Sequence, residues 1–207
     1  SITTRPRFLH LRSFAFIAVV VISEVSSIRI SNAESEEAAV AIRLHSSGRI
    51  LPVRSAELGT LASEDIIRLT NHKSINLYAE NIFLILSKTK DSTATCTNWT
   101  SANVISRYWK SKGIDSNKIF QVDGSGMSMK NAISPQFLVD MLTYMYKDSK
   151  YSKSFISTLP TAGRNGTVAS FMKETRLEGK AHIKSGSMER VQNFAGYINA
   201  NNKWYAF

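Results

Sequence analysis

Residues 71–80 read Asn71-His72-Lys73-Ser74-Ile75-Asn76-Leu77-Tyr78-Ala79-Glu80, and 110 positions after Ser74 the chain reads Lys184-Ser185-Gly186-Ser187. The first stretch carries an S-x-N tripeptide at the mouth of an apolar run, and the second carries a K-S-G tripeptide entering the final strands. Alone, an S-x-N is ordinarily a helix cap or a turn, and a K-S-G is ordinarily a lysine at a strand end. Their order carries more information than either alone. Between them come a Gly-rich turn, Asp123-Gly124-Ser125-Gly126-Met127-Ser128, and then Leu159-Pro160-Thr161-Ala162-Gly163 followed by Gly166-Thr167. Four small-polar segments in a fixed sequence over more than half the chain are hard to obtain by accident.

Outward from these segments the chain alternates helices with short strands and shows no internal repeat. Glu36 to Leu44 predicts a short helix stopped near Gly48, and Ser63 to Thr70 predicts another, with Ser63 as cap and acids in its first turn. Leu77 to Leu86 is dense enough in apolar residues to form a buried helix. A further helix is expected from about Ser101 to Lys112, with Val104, Ile105, Tyr108 and Trp109 on one face and Gly113 as its stop. Ser134-Pro135 is a cap followed by the favoured first residue, opening a helix whose apolar stripe is Phe137, Leu138, Met141, Leu142 and Met145. Val191 to Ile198 and Lys203 to Phe207 predict two strands joined by the Asn-rich turn Asn199 to Asn202. Helices first and an antiparallel hairpin last indicate an α+β domain.

Composition limits the function classes. The 207 residues are 43% hydrophobic and 20% charged, which excludes collagen-like, disordered and multi-span membrane chains. With 26 Lys plus Arg against 16 Asp plus Glu, the formal charge of +10 predicts attraction to polyanions: nucleic acid, an anionic membrane surface or an acidic cell wall. Cys96 is the single cysteine, so an intrachain disulfide and a Cys-based zinc site are both excluded. No P-loop and no G-x-G-x-x-G occurs, no G-x-S-x-G elbow occurs, and His10, His45, His72 and His182 have no ligand spacing. No metal and no cofactor is therefore expected. Residues 1–33 read differently from the rest: Arg5, Arg7 and Arg12 precede the apolar run Phe14 to Ile22, and Ser31-Asn32-Ala33 places small residues before the acidic Glu34-Ser35-Glu36-Glu37. That is the order of a secretory signal, although Val19 to Ile22 equally suits a buried β-branched strand. Without residues 1–33 the remaining body still has 22 basic residues against 15 acidic ones.

The ordered segments Ser74 to Asn81 (SINLYAEN), Asp123 to Pro135 (DGSGMSMKNAISP), Leu159 to Thr167 (LPTAGRNGT) and Lys184 to Ile198 (KSGSMERVQNFAGYI) resemble the low-molecular-mass penicillin-binding proteins of the D-alanyl-D-alanine carboxypeptidase/endopeptidase type, peptidase family S13. The resemblance covers about Glu36 to Phe207. It implies an α+β, β-lactamase/transpeptidase-like fold: an antiparallel sheet flanked by a helical lobe, with the cleft between them. In that fold Ser74 belongs to the helical lobe, Lys184 to an inner sheet strand, and both face one groove. It further implies a serine that attacks the carbonyl of a penultimate D-Ala, forms an acyl-enzyme and then yields to water. By resemblance Ser74 relays a proton to the leaving amine, Asn76 orients the nucleophile's lysine and the substrate's backbone, and Lys184 draws the terminal carboxylate. Ser185 stands where Thr is usual and keeps the carboxylate-binding hydroxyl. Gly186 lets the strand backbone approach the ligand, and Ser187 completes the substrate-binding edge.

One departure from the family pattern is large. The family nucleophile lies in an S-x-x-K motif ahead of S-x-N, and no such motif precedes Ser74. Ser87-Lys88-Thr89-Lys90 and Ser170-Phe171-Met172-Lys173 fit the letters but follow S-x-N, so they are expected to be coincidental. The sequence is thus expected to be a fragment: a signal-like or non-family leader over residues 1–33, and a partial transpeptidase-like domain over residues 34–207 that is incomplete at both ends. The expected function is a serine-type D-Ala-D-Ala carboxypeptidase acting on peptidoglycan stem peptides, inhibited by β-lactams, in the periplasm or outside the cytoplasm. The alternative is a non-catalytic relative that binds peptidoglycan or scaffolds other wall enzymes. A nucleic-acid partner is not expected, because no Lys/Arg run interleaved with aromatics accompanies the charge.

Overall fold

The computed structural model describes residues 63–89, 97–189 and 191–207. The leader, the expected helix Glu36 to Leu44, Cys96 and Lys90 lie outside those residues. Helix α1 (Ser63–Lys73) continues past the expected end at Thr70, because the Thr70 hydroxyl donates to the Ile66 carbonyl at 2.7 Å and needs no partner beyond the helix. It stops at Ser74, which has a left-handed backbone (φ 53°), and α2 (Asn76–Ile85) follows at once. Helix α3 (Asn98–Ser111) begins three residues before Ser101. Its start is set by a capping box in which Thr97 accepts from the Thr100 N–H at 3.1 Å and the Thr97 N–H donates back to the Thr100 hydroxyl at 3.2 Å. Gly113, at φ 78°, ends it as expected.

Helix α4 (Pro135–Lys147) starts at the predicted cap, with the Ser134 hydroxyl accepting from the Phe137 N–H at 3.1 Å. A short helix α5 (Ser152–Ser157) follows it. Two strands of two residues each, β1 (Ile119–Phe120) and β2 (Ala132–Ile133), pair antiparallel and close off the Gly-rich turn between them. The chain then forms β3 (Ala181–Met188), β4 (Val191–Ala200) and β5 (Lys203–Ala206), an antiparallel sheet in sequence order. Asn201 and Asn202 take the two left-handed positions of the β4–β5 hairpin, at φ 53° and 59°. In the register that positions the site, Lys184 faces Ala195 and Ser185 faces Phe194.

All five residues of the predicted α4 stripe are buried. Trp109 packs edge-on against Phe137 and Tyr144, with ring centroids 6.3 and 5.9 Å away. Ala195 and Tyr197 of β4 join this cluster, and the Tyr197 hydroxyl donates to the Leu142 carbonyl at 2.7 Å, tying sheet to helix. A smaller cluster of Ala162, Val168, Ala181 and Ile183 covers the other sheet face, where Phe171 stacks on Phe194 at 4.2 Å. Because strand side chains alternate, β3 sends Lys184 to the helical face and Ile183 and Ser185 to the opposite one.

Among the described strands, β3, which carries Lys184, is at the edge of the sheet beside β4. Only its first half is covered, where the Ile183 N–H donates to the Pro160 carbonyl at 2.8 Å and the Ala162 N–H donates to the Ala181 carbonyl at 2.9 Å. The bridge is antiparallel, so the chain that would run beside Lys184 is Leu159 and Thr158, which instead close helix α5, and among the described residues no bridge extends to Lys184 through Ser187.

Candidate active site

Ser74 sits at the α1–α2 junction, and its left-handed backbone, unusual for a residue with a Cβ, is the turn that separates the two helices. Lys184 Nζ donates to Ser74 Oγ at 3.0 Å across 110 residues of chain. The same ammonium donates to the Ser185 carbonyl. Lys184 is only 1% exposed, and no carboxylate forms a salt bridge with it among the described residues. Burial without a counter-charge disfavours the ammonium and lowers its pKa from 10.5 to about 8. The result is a cation held close to its deprotonation range, with a serine hydroxyl accepting one of its N–H bonds. Because Ser74 accepts, its own proton remains free to be donated to a third group.

Both sides of this contact are braced. Asn71, buried on α1, donates through Nδ2 to the Thr158 hydroxyl at 3.1 Å, which fixes the end of α1 to the residue that opens the Leu159–Gly163 segment. The Gly-rich turn is held by α2: Glu80 accepts from the Gly124 and Ser125 N–H groups at 3.0 Å each and from the Ser125 hydroxyl at 2.5 Å. Asp123 in turn accepts from the Gly126 and Ser128 N–H groups and from Asn131 Nδ2, at 2.7, 2.6 and 2.8 Å. Gly124 allows this approach, since an added Cβ would lie 2.3 Å from the Ala79 carbonyl oxygen. The segment is a structural turn, as the sequence suggested, and both carboxylate oxygens of Glu80 and of Asp123 are engaged with the chain.

Of the remaining expected residues, Ser185, Gly186 and Ser187 follow Lys184 on β3, and Asn76 lies on α2. Asn76 is exposed at the first residue of α2. Gly186 is buried on β3 opposite Asn193, and Ser187 is exposed one residue further on. Ser185 is half-buried, and its Oγ lies 2.7 Å from Thr167 Oγ1, a contact to which no sequence motif pointed. The available signal was the Gly-Thr that closes LPTAGRNGT, read there only as part of a turn. Of the two S-x-x-K look-alikes, Ser87 is buried with its hydroxyl donated to the Leu84 carbonyl at 2.7 Å, and Ser170 to Lys173 lie in turns with no helix to align them. Two cavities of about 340 and 350 Å³ lie elsewhere, one against Trp99 and Phe120 and the other against Arg176 and Lys180. Neither is lined by Ser74 or Lys184. Among the described residues no cluster of three His, Cys, Asp or Glu could hold a metal, and no helix is long and apolar enough to cross a membrane.

A helical lobe packed on an antiparallel sheet, with S-x-N at a helix junction and K-S-G on the facing strand, defines a transpeptidase-like fold. Two solved structures match it. Penicillin binding protein 4 from Haemophilus influenzae matches 70% of this chain and 32% of its own, with a TM-score of 0.64 and 23% identity. The TLA-3 extended-spectrum β-lactamase matches 97% of this chain and 74% of its own, with a TM-score of 0.60 and 18% identity. Residues 36–207 match the Peptidase_S13 family, D-Ala-D-Ala carboxypeptidase 3, and the chain belongs to that family. It is 31% identical over 149 residues to the penicillin-sensitive carboxypeptidase A of Dictyostelium discoideum, covering 72% of this chain and 28% of that protein. The chain thus spans less than a third of the length of the curated relatives it matches.

Proposed function

We propose that this chain carries the S-x-N and K-S-G half of a serine-type D-Ala-D-Ala carboxypeptidase site that acts on peptidoglycan stem peptides outside the cytoplasm. The observation that carries this reading is the 3.0 Å hydrogen bond from Lys184 to Ser74. At neutral pH the Lys184 ammonium offers the charge that draws a terminal carboxylate to the edge of β3, where Ser185 adds a hydroxyl. Ser74, polarised by Lys184, holds the proton that a departing D-alanine amine requires when an acyl-enzyme forms on the family's S-x-x-K serine. Asn76 presents its amide toward the substrate backbone, and Gly186 and Ser187 continue the edge along which that backbone lies. Family membership and the matched relatives support the reaction class, and the geometry supports the division of labour.

The test is equilibrium binding of an N-acetylated peptide ending in D-Ala-D-Ala to the 207-residue chain, beside the same peptide amidated at its C-terminus and beside its L-Ala-L-Ala counterpart. The D,D-acid is expected to bind, the amide to bind at least about tenfold more weakly, and Lys184→Met to abolish the difference between acid and amide. Equal binding of all three peptides would overturn the proposal. No fluorescent penicillin is expected to stay attached to the 207-residue chain after denaturation, and an adduct that survives would identify Ser87 or Ser170 as a nucleophile.

A further inference from the structure

Thr167 occupies the middle of a short 3-10 turn, Gly166–Val168, whose backbone is closely determined. The Gly163 N–H donates to the Val168 carbonyl at 3.0 Å, the Ala169 N–H donates to the Gly166 carbonyl at 3.3 Å, and the Val168 side chain is buried beside Ala162, Ala181 and Ile183. Gly166 adopts φ 61° against the end of α1, where an added Cβ would stand 2.8 Å from Pro160 Cβ and 3.1 Å from the His72 carbonyl oxygen. From that frame Thr167 Oγ1 reaches Ser185 Oγ at 2.7 Å.

The two hydroxyls differ in how well their own chain holds them. Threonine is β-branched and stiff at χ1, whereas a serine hydroxyl has three staggered wells of similar energy. Ser185 is half-buried on β3 at the position where the resemblance has threonine, and a serine's own χ1 preference does not fix its hydroxyl, so its rotamer needs an outside constraint. We infer that Thr167 is a positioning residue that selects one rotamer of Ser185, so that the pair presents a fixed hydroxyl to the substrate's terminal carboxylate. Whichever of the two hydroxyls donates across the 2.7 Å contact, the other retains its proton for a carboxylate oxygen. The identity of the ligand rests on the function proposed above, while the selection of the Ser185 rotamer does not.

The experiment compares the 207-residue chain with Thr167→Val, Thr167→Ser and the double variant Thr167→Val/Ser185→Thr. One measurement is the Ser185 Hα–Hβ coupling pattern by NMR, and the other is the dissociation constant of the acetylated D-Ala-D-Ala peptide. The parent and Thr167→Ser are expected to show a single Ser185 rotamer, and Thr167→Val an averaged one. Peptide affinity should fall about fivefold in Thr167→Val, the effect of one lost hydrogen bond, stay near the parent in Thr167→Ser and return in the double variant. A single Ser185 rotamer in Thr167→Val overturns the inference, as does parent-like affinity in that variant. A parent that binds no D-Ala-D-Ala peptide sinks the functional proposal, and the coupling patterns then still decide whether Thr167 positions Ser185.

Discussion

The helical lobe and the β3 rim are built on opposite terms. Around Trp109 the buried cluster is apolar, ring meets ring edge-on, and α3 and α4 are each started by a side-chain cap. At the rim the most buried side chain is a lysine that pairs with no carboxylate among the described residues, and it meets a serine with a left-handed backbone. The first region gains stability from the apolar surface it buries. The second spends stability to keep a cation and a hydroxyl at a set distance. Sites for catalysis and binding are where such local costs are expected, because the groups are arranged for a ligand and not for the free protein.

The largest expected effect tests the first region. Trp109→Ala should lower the unfolding free energy of the 207-residue chain by about 4 kcal/mol, measured by urea denaturation. A loss below about 1 kcal/mol would mean that the Trp109 cluster is not the stabilising centre. The next strikes the joint between the regions. Gly196 lies in β4 at φ 155°, and an added Cβ would stand 2.0 Å from the His182 carbonyl oxygen. Gly196→Ala should cost about 3 kcal/mol by forcing β3 away from β4, and it should weaken peptide binding beyond what the stability loss explains. Unchanged binding in a folded Gly196→Ala variant would show that the β3–β4 spacing does not set the position of Lys184.

The third prediction sharpens the contrast by its sign. Lys184 has a pKa near 8 in the folded chain against 10.5 in the unfolded one, so below pH 8 both states hold the proton and the native state bears the cost of a buried cation. Between pH 8 and 10.5 the unfolded chain binds more protons than the folded one, and stability rises with pH through that window. Lys184→Met should therefore be more stable than the parent by about 3 kcal/mol at pH 7 in thermal or urea unfolding, with the gap narrowing as the pH approaches 10.5. A variant less stable than the parent at pH 7 would show that the bonds to Ser74 and the Ser185 carbonyl outweigh desolvation.

Elements governed by neighbours in sequence were legible without coordinates. Ser134 before Pro135, the five-residue stripe of α4 and the Asn-rich hairpin turn each state their structure within a few residues, since caps, periodicity and left-handed turns are local effects. The start of α3 was misplaced because its cap is a Thr–Thr pair, Thr97 with Thr100, in place of the usual acidic partner. The pairing of Ser74 with Lys184 was legible only through motif order, since no local rule joins residues 110 positions apart.

Taken alone, the sequence determined the α+β class, the family and the residue types along the rim, because side-chain chemistry and its order are written directly in it. Only the tertiary structure decided that, among the described residues, β3 borders the sheet and Lys184 is buried without a counter-charge, and that Thr167 meets Ser185. Each of these depends on which distant surfaces pack together: burial sets a lysine's pKa and the end of one covering segment exposes a strand, and neither is a property of any short stretch of chain.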